Sequence, residues 1–137
     1  MKYILKLSGV LFLLIFSANH LYSQSDLMHS KALYVDAIIN YEGKIKVHNT
    51  LLNIEEVEAY TKSYVRSQPV MKYDHVVYRV YGDENLELGE IMNLEQELQK
   101  AYAGKRARYL LDTRAIILDT PNMWKKLKLL EIKSLKD

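Results

Sequence analysis

Apolar residues recur in this chain with two different spacings, and the order of these spacings is the strongest constraint on its fold. Residues 33–40 and 44–49 alternate between apolar and polar side chains, which predicts two β-strands. Gly43 lies in the short turn between them, where a residue that tolerates a positive φ angle is favoured. We therefore predict a β-hairpin in this part of the chain.

After the predicted hairpin, apolar residues recur at the spacing of an α-helix. Asn53 and Glu56 have the spacing of a capping box, in which each residue satisfies a free backbone donor of the other. Apolar residues then recur at helical intervals until Pro69, which predicts a helix over residues 53–68. A second amphipathic helix is predicted over residues 88–102 by the same spacing.

Two further strands are predicted, one before and one after the second helix. Residues 75–81 are rich in β-branched and aromatic side chains, and residues 107–113 form another apolar strand that could continue through Leu118. The order β-β-α-β-α-β predicts an α+β fold with two layers, in which both helices cover one face of a mixed sheet of four or five strands. We place this domain at residues 24–120.

The remaining residues, 121–137, form a basic amphipathic segment. Trp124, Leu127 and Leu130 have helical spacing and are surrounded by lysines. Three interpretations of this segment stay open: a helix on a membrane surface, a helix that binds a partner, and a helix docked on the domain through Trp124.

Residues 1–23 have the composition of a secretory signal peptide. Two lysines precede an apolar run over residues 7–18, and the first acidic residue of the chain is Asp26. This run is shorter than the roughly 20 residues that a spanning helix needs. We predict cleavage near Ser23 and a periplasmic or secreted mature protein. The alternative is an uncleaved anchor in the inner membrane through residues 3–18.

Composition excludes several classes of function. The chain has 19 basic and 17 acidic residues, and removal of the two lysines of the signal leaves a mature chain with a formal net charge of zero. A neutral chain lacks the excess of positive charge that is typical of proteins that bind nucleic acid. The absence of cysteine excludes disulfides, thiolate metal sites, a thiol nucleophile and a lipid-modified cysteine. The four histidines lack metal-ligand spacing. We therefore predict neither a metal nor a cofactor.

The glutamates of the two predicted helices could in principle act as acid and base catalysts. Their positions are equally those of carboxylates that stabilise a helix N-terminus or face solvent, and we favour this structural interpretation. These residues are Glu55, Glu56 and Glu58 in the first helix and Glu95 and Glu97 in the second.

Arg79, Asp83 and Asp112 would have to line one cleft if the chain were an enzyme or a ligand-binding module. Asp83 follows a glycine and also suits a turn. Arg79 lies in an otherwise apolar strand, so it needs a carboxylate partner if it is buried, and Asp83 or Asp112 could supply one. A structural ion pair is the favoured interpretation, and we name no catalytic residue.

Three ring-bearing side chains fall on predicted strands. His48 is expected on an outer, solvated face rather than in a metal site. Tyr34 and Tyr78 would form a partner surface if both face away from the helices, because tyrosine is enriched at protein interfaces.

Residues 33–113 resemble the periplasmic domain of the ExbD/TolR family of biopolymer-transport proteins. The segments that carry the likeness are, in order, VDAIINYEGKIKVHNTLL, NIEEVEAYTKSYV, VVYRVYGDENLELGEI, MNLEQELQKAYAG and YLLDT. The resemblance implies a non-enzymatic domain that dimerises and offers a sheet edge to extended segments of partner proteins. The chain differs from the family in its short N-terminal apolar run, which lacks the acidic residue of the family's transmembrane helix, and in its basic C-terminal segment.

These observations predict an exported, non-enzymatic protein-interaction domain. The expected partners are envelope proteins bound by strand addition, together with a second copy of the chain in a homodimer. Contact with a membrane is expected only through an uncleaved signal or through residues 121–137. The alternative is a small exported enzyme or ligand-binding module of unknown substrate.

Overall fold

The computed structural model describes residues 31–135, so the predicted signal peptide lies outside the described residues. Six strands and three helices are present in this part of the chain. The strands are β1 (Ala32–Ile39), β2 (Ile45–Val47), β3 (Thr50–Leu52), β4 (His75–Asp83), β5 (Lys105–Leu111) and β6 (Lys133–Leu135). The helices are α1 (Ile54–Ser67), α2 (Leu88–Ala101) and α3 (Met123–Leu127).

The strands form one mixed sheet in the order β3-β2-β1-β4-β5-β6. The three central strands, β1, β4 and β5, are parallel, and the outer strands pair antiparallel with their neighbours. The predicted α+β fold is confirmed, with six strands instead of four or five. The two additional strands, β3 and β6, have the sequences Thr-Leu-Leu and Lys-Ser-Leu, which do not alternate between apolar and polar side chains.

Helices α1 and α2 cover one face of the sheet and bury the main core. Val57 of α1 and Leu94 and Leu98 of α2 are fully buried against strand residues such as Val35 and Val80. Full burial of an aliphatic side chain of this size contributes roughly 1.5–3 kcal/mol. Packing against the sheet, rather than helix propensity, therefore supplies most of the stability of these helices.

Two local features fix the positions of the helices. The backbone N–H of Asn53 donates to Glu56 Oε2 at 2.8 Å, which is one half of the predicted capping box at the start of α1. Gly82 of β4 allows the close approach of α2, because a Cβ at this position would collide with the side chain of Ile91. The absence of a side chain at this residue thus sets the distance between α2 and the sheet.

The opposite face of the sheet, called the outer face below, is covered at one end only, as far as residues 31–135 are concerned. The C-terminal segment packs there on Ile38 and Leu111 through Met123 and Leu127. Trp124 Nε1 donates to the carbonyl oxygen of His48 at 2.6 Å. Of the three interpretations of this segment, docking through Trp124 is the one observed, although α3 has only five residues and the chain then enters β6.

The segment between β5 and α3 is a loop, so the continuation of β5 through Leu118 is wrong. Its apolar residues Ile116 and Leu118 are nevertheless buried, because they cover the outer face beside Ile38. Within residues 31–135, no helix combines the length and the apolar character needed to span a bilayer.

Candidate functional site

Arg79 and Asp36 form an ion pair on the uncovered part of the outer face. The guanidinium contacts both carboxylate oxygens, with Nη2 at 2.8 Å from Oδ2, and also lies over the ring of Tyr34 at 4.4 Å from its centroid. The hydrogen bond with Asp36 raises the pKa of Arg79, so the residue stays charged. The partners expected from the sequence, Asp83 and Asp112, are wrong. Parallel pairing places Asp36 directly opposite Arg79 on the adjacent strand.

Asp83 is fully buried at the end of β4. It accepts hydrogen bonds from Thr113 N at 2.8 Å, Thr113 Oγ1 at 2.6 Å and Asn85 N at 2.8 Å. Burial by itself would raise the pKa of Asp83, but these three hydrogen bonds outweigh it and lower the pKa. The carboxylate therefore ties the end of β4 to the loop after β5 and has the turn-forming role that the sequence also allowed.

Asp112 faces solvent and pairs with Arg114 at 2.6 Å, which lowers the pKa of Asp112 to about 2. Arg79, Asp83 and Asp112 thus have separate partners: Asp36, Thr113 and Arg114. None of the three lines any of four cavities of about 400–430 Å³ on the described part of the chain. The arrangement that a catalytic cleft would require is not formed by these residues.

His48 occupies the turn between β2 and β3 with a positive φ of 49°. Its ring lies 4.3 Å from the ring of Tyr64 on α1, and its Nε2 is buried without a hydrogen-bond partner among the described residues. The predicted solvated position of His48 is wrong, because the turn directs the ring toward α1. The structure forms no cluster of three or more metal-ligating side chains within residues 31–135.

The free energy of unfolding is expected to fall as the pH is lowered from 7 to 5, with His48 as the source. Burial lowers the pKa of His48, Arg79 lowers it further, and Asp36 opposes the shift. The unfolded chain therefore takes up a proton at higher pH than the folded chain, and stability is lost as the pH falls through the ordinary histidine range near 6.5. Urea unfolding at pH 7, 6 and 5 measures this slope.

His48→Asn is the matched variant for this prediction, because asparagine tolerates a positive φ and does not titrate. The variant should have a flatter dependence of stability on pH than the parent chain. Equal slopes in the parent and in His48→Asn would show that other groups cause the pH dependence.

Most of the helix glutamates have the expected structural roles, with one exception. Glu56 belongs to the N-terminal cap of α1, and Glu58 lies 3.6 Å from Lys62 on the helix surface. Glu95 is only 3% exposed, so its predicted solvated position is wrong. It points from α2 to β5, where it accepts two hydrogen bonds from Arg108 at 2.7 and 2.6 Å and one from Arg106 at 3.3 Å.

The two tyrosines considered for a partner surface lie on opposite faces of the sheet. Tyr34 is on the outer face and is 48% exposed, as such a surface requires. Tyr78 is buried beneath the helices, so its predicted place on that surface is wrong. Its hydroxyl donates to the carbonyl oxygen of Tyr102 at 2.6 Å, and burial raises the pKa of Tyr78 to about 12.

The two edge strands differ in their protection against pairing with another chain. β6 carries Lys133, and charged side chains discourage strand addition. β3 has the sequence Thr-Leu-Leu, without a charge, and its central residue Leu51 is 45% exposed. A groove of about 420 Å³ runs beside β3, with apolar walls from Leu51, Leu52 and Ile54 and charged residues including Lys44 and Glu55.

Comparison of the chain with protein-family models, with curated proteins and with solved structures finds no match.

Proposed function

We propose that this chain is an exported, non-enzymatic protein-interaction domain similar to the periplasmic part of ExbD/TolR transport components, and that it binds extended segments of envelope proteins along β3. The observation that carries the proposal is the uncharged edge of β3, which no other strand within residues 31–135 covers, beside an apolar groove. The α+β fold is compatible with it, since β1, β2, α1, β4, α2 and β5 follow one another in the order of the resemblance, and β3, α3 and β6 are additions to that order.

The geometry of the β2–β3 hairpin indicates which backbone groups would bind a partner. Val47 pairs with Thr50 across a two-residue turn, and Lys46 pairs with Leu51. Hydrogen-bonded and non-hydrogen-bonded pairs alternate along an antiparallel ladder, and the residues that flank such a turn form a hydrogen-bonded pair. The N–H and C=O of Leu51 therefore point away from β2, toward the open edge, where a partner strand would pair with them.

The groove beside β3 would supply the specificity of this interaction. Strand addition gains affinity from backbone hydrogen bonds and selects sequences through pockets for alternate side chains. Leu52 and Ile54 offer an apolar pocket, and Lys44 and Glu55 offer one charge of each sign. An extended partner segment with apolar residues flanked by polar ones fits this surface best.

Affinity capture from envelope extract with the tagged full chain tests the proposal. The parent chain should recover envelope proteins, among them energy-transducing components. Leu51→Pro should abolish this recovery, because proline removes the outward-pointing N–H while leaving the β2 ladder intact. Leu51→Ala, which keeps the N–H, should retain most of it. Sedimentation velocity of the parent chain tests separately whether it forms the homodimer that the resemblance implies.

Leu135→Ala on the opposite edge is the matched control and should behave as the parent chain does, since Leu135 is an exposed leucine on β6. Circular dichroism and thermal unfolding of each variant verify that the fold is retained. Recovery of the same partners by folded Leu51→Pro would contradict binding along β3. Recovery of no envelope protein by the parent chain would contradict the interaction function itself.

A further inference from the structure

A cavity of about 430 Å³ lies at the end of the sheet where β1 and β4 begin, and it is called the basal cavity below. It is bounded by the end of α1, the loop between α1 and β4, and the end of α2. Its volume is in the range of small-molecule sites. It is separate from the β3 edge, since the two grooves share no lining residue.

The walls of the basal cavity are largely apolar. Leu33 and Val76, which are 5% and 3% exposed, belong to the main core and line it, together with Val65 and Ala101. The lining also includes Val70 and Met71 in the loop between α1 and β4, and these two side chains are 92% and 95% exposed. Two adjacent apolar side chains left almost entirely in water are costly, and a ligand in the cavity would bury part of their surface.

Two cations of α1 line the same cavity. Lys62 and Arg66 are four residues apart, so they project from the same face of the helix. Within residues 31–135, the one ion pair of Lys62 is a long contact with Glu58 at 3.6 Å. Both side chains are about two-fifths exposed, and surface pairs of this kind are weak. Arg66 has no carboxylate within ion-pair distance among the described residues. Asp74, the acid of the lining, already has an interaction partner.

This combination selects a ligand with one apolar and one anionic end. We propose that the basal cavity binds a small amphipathic carboxylate of the medium-chain fatty-acid type. The hydrocarbon chain lies against Leu33 and Val76, and the carboxylate is bound by Arg66 with Lys62 beside it. The two full positive charges outweigh the partial negative charge of about half a unit at the C-terminal end of α1. A guanidinium is suited to a carboxylate because it can donate two parallel hydrogen bonds.

Isothermal titration of the full chain with sodium octanoate tests this proposal. One octanoate should bind per chain, and octan-1-ol, which has the same chain length without the charge, should bind about tenfold more weakly because it loses the charge-assisted hydrogen bonds. Arg66→Gln should weaken octanoate binding by a similar factor. Arg114→Gln is the matched control, since Arg114 pairs with Asp112 beyond the opposite end of the sheet, and it should leave the affinity unchanged.

A second variant tests the apolar part of the site independently of charge. Ala101→Phe fills the cavity from α2 and should abolish octanoate binding while the far-ultraviolet circular dichroism spectrum is unchanged. The proposal is overturned if no saturable binding occurs below about 10 mM octanoate. It is also overturned if octan-1-ol binds as tightly as octanoate, or if Arg114→Gln weakens binding as much as Arg66→Gln does.

Discussion

Replacing Glu95 with alanine is expected to lower the free energy of unfolding by about 3 kcal/mol. Glu95 is 3% exposed and Arg108 is about one-tenth exposed, and two hydrogen bonds at 2.7 and 2.6 Å connect their side chains. Removing the carboxylate takes both bonds away and leaves the charge of Arg108 in a site with little access to water. Urea unfolding at pH 7 measures the loss.

Glu97→Ala is the matched control for this prediction. Glu97 lies two residues further along α2 and pairs with Lys100, whose side chain is 58% exposed. Surface pairs of this kind contribute less than about 1 kcal/mol, so the control should change stability little. Glu95→Gln keeps the shape of the side chain and should fall between the two. A loss for Glu95→Ala no larger than that for Glu97→Ala would contradict a stabilising role for the buried pair.

The sequence was sufficient to predict the elements whose apolar period extends over several residues. The hairpin around Gly43 and the helices α1 and α2 are present close to their predicted limits. The short strands β3 and β6 were missed, because neither Thr-Leu-Leu nor Lys-Ser-Leu alternates between apolar and polar side chains. β6 also depends on a contact with β5 that is distant in sequence, so no local signal could have revealed it.

The pairing of side chains was predicted less well, because it depends on strand register. Arg79 was correctly expected to need a carboxylate, but Asp36 is its partner only because β1 and β4 are parallel and pair these two residues. Glu95 looked solvated because no pattern within α2 indicates that β5 presents Arg106 and Arg108 beneath it. The burial of Tyr78 could have been predicted from the sequence. Side chains of a strand alternate between its two faces, so Tyr78 lies on the same face of β4 as the apolar residues Val76 and Val80.

The C-terminal segment determines how much of the outer face a partner could contact. The C-terminal segment covers Ile38 and contacts Tyr81 through Trp124, and therefore removes one end of this face from solvent. Tyr34 and Arg79 lie beyond its reach and stay accessible. Interaction through β3 is compatible with this arrangement, because the edge of a sheet stays open when part of its face is covered.

Replacing Asp83 with alanine is expected to lower the free energy of unfolding by about 3 kcal/mol at neutral pH. The N–H and the hydroxyl of Thr113 would lose their acceptor in a fully buried site, and each unsatisfied buried donor costs roughly 1–3 kcal/mol. The loss also affects the turn between β1 and β2, since Thr113 Oγ1 accepts a hydrogen bond from Tyr41 N at 2.9 Å. Chemical denaturation at pH 7 measures the change.

The dependence on pH distinguishes this carboxylate from an exposed one. Because the pKa of Asp83 is lowered in the folded chain, its contribution is present above the ordinary value near 3.8 and is lost as the pH falls through the folded value. Stability of the parent chain should therefore decline below about pH 4, and Asp83→Asn should reduce this decline. Asp112→Asn, at an exposed position, should have little effect on stability at pH 7.

A double-mutant cycle of Asp83→Ala with Thr113→Ala should give a coupling energy of about 1 kcal/mol. Additive effects of the two substitutions would contradict a direct hydrogen bond between Asp83 and Thr113.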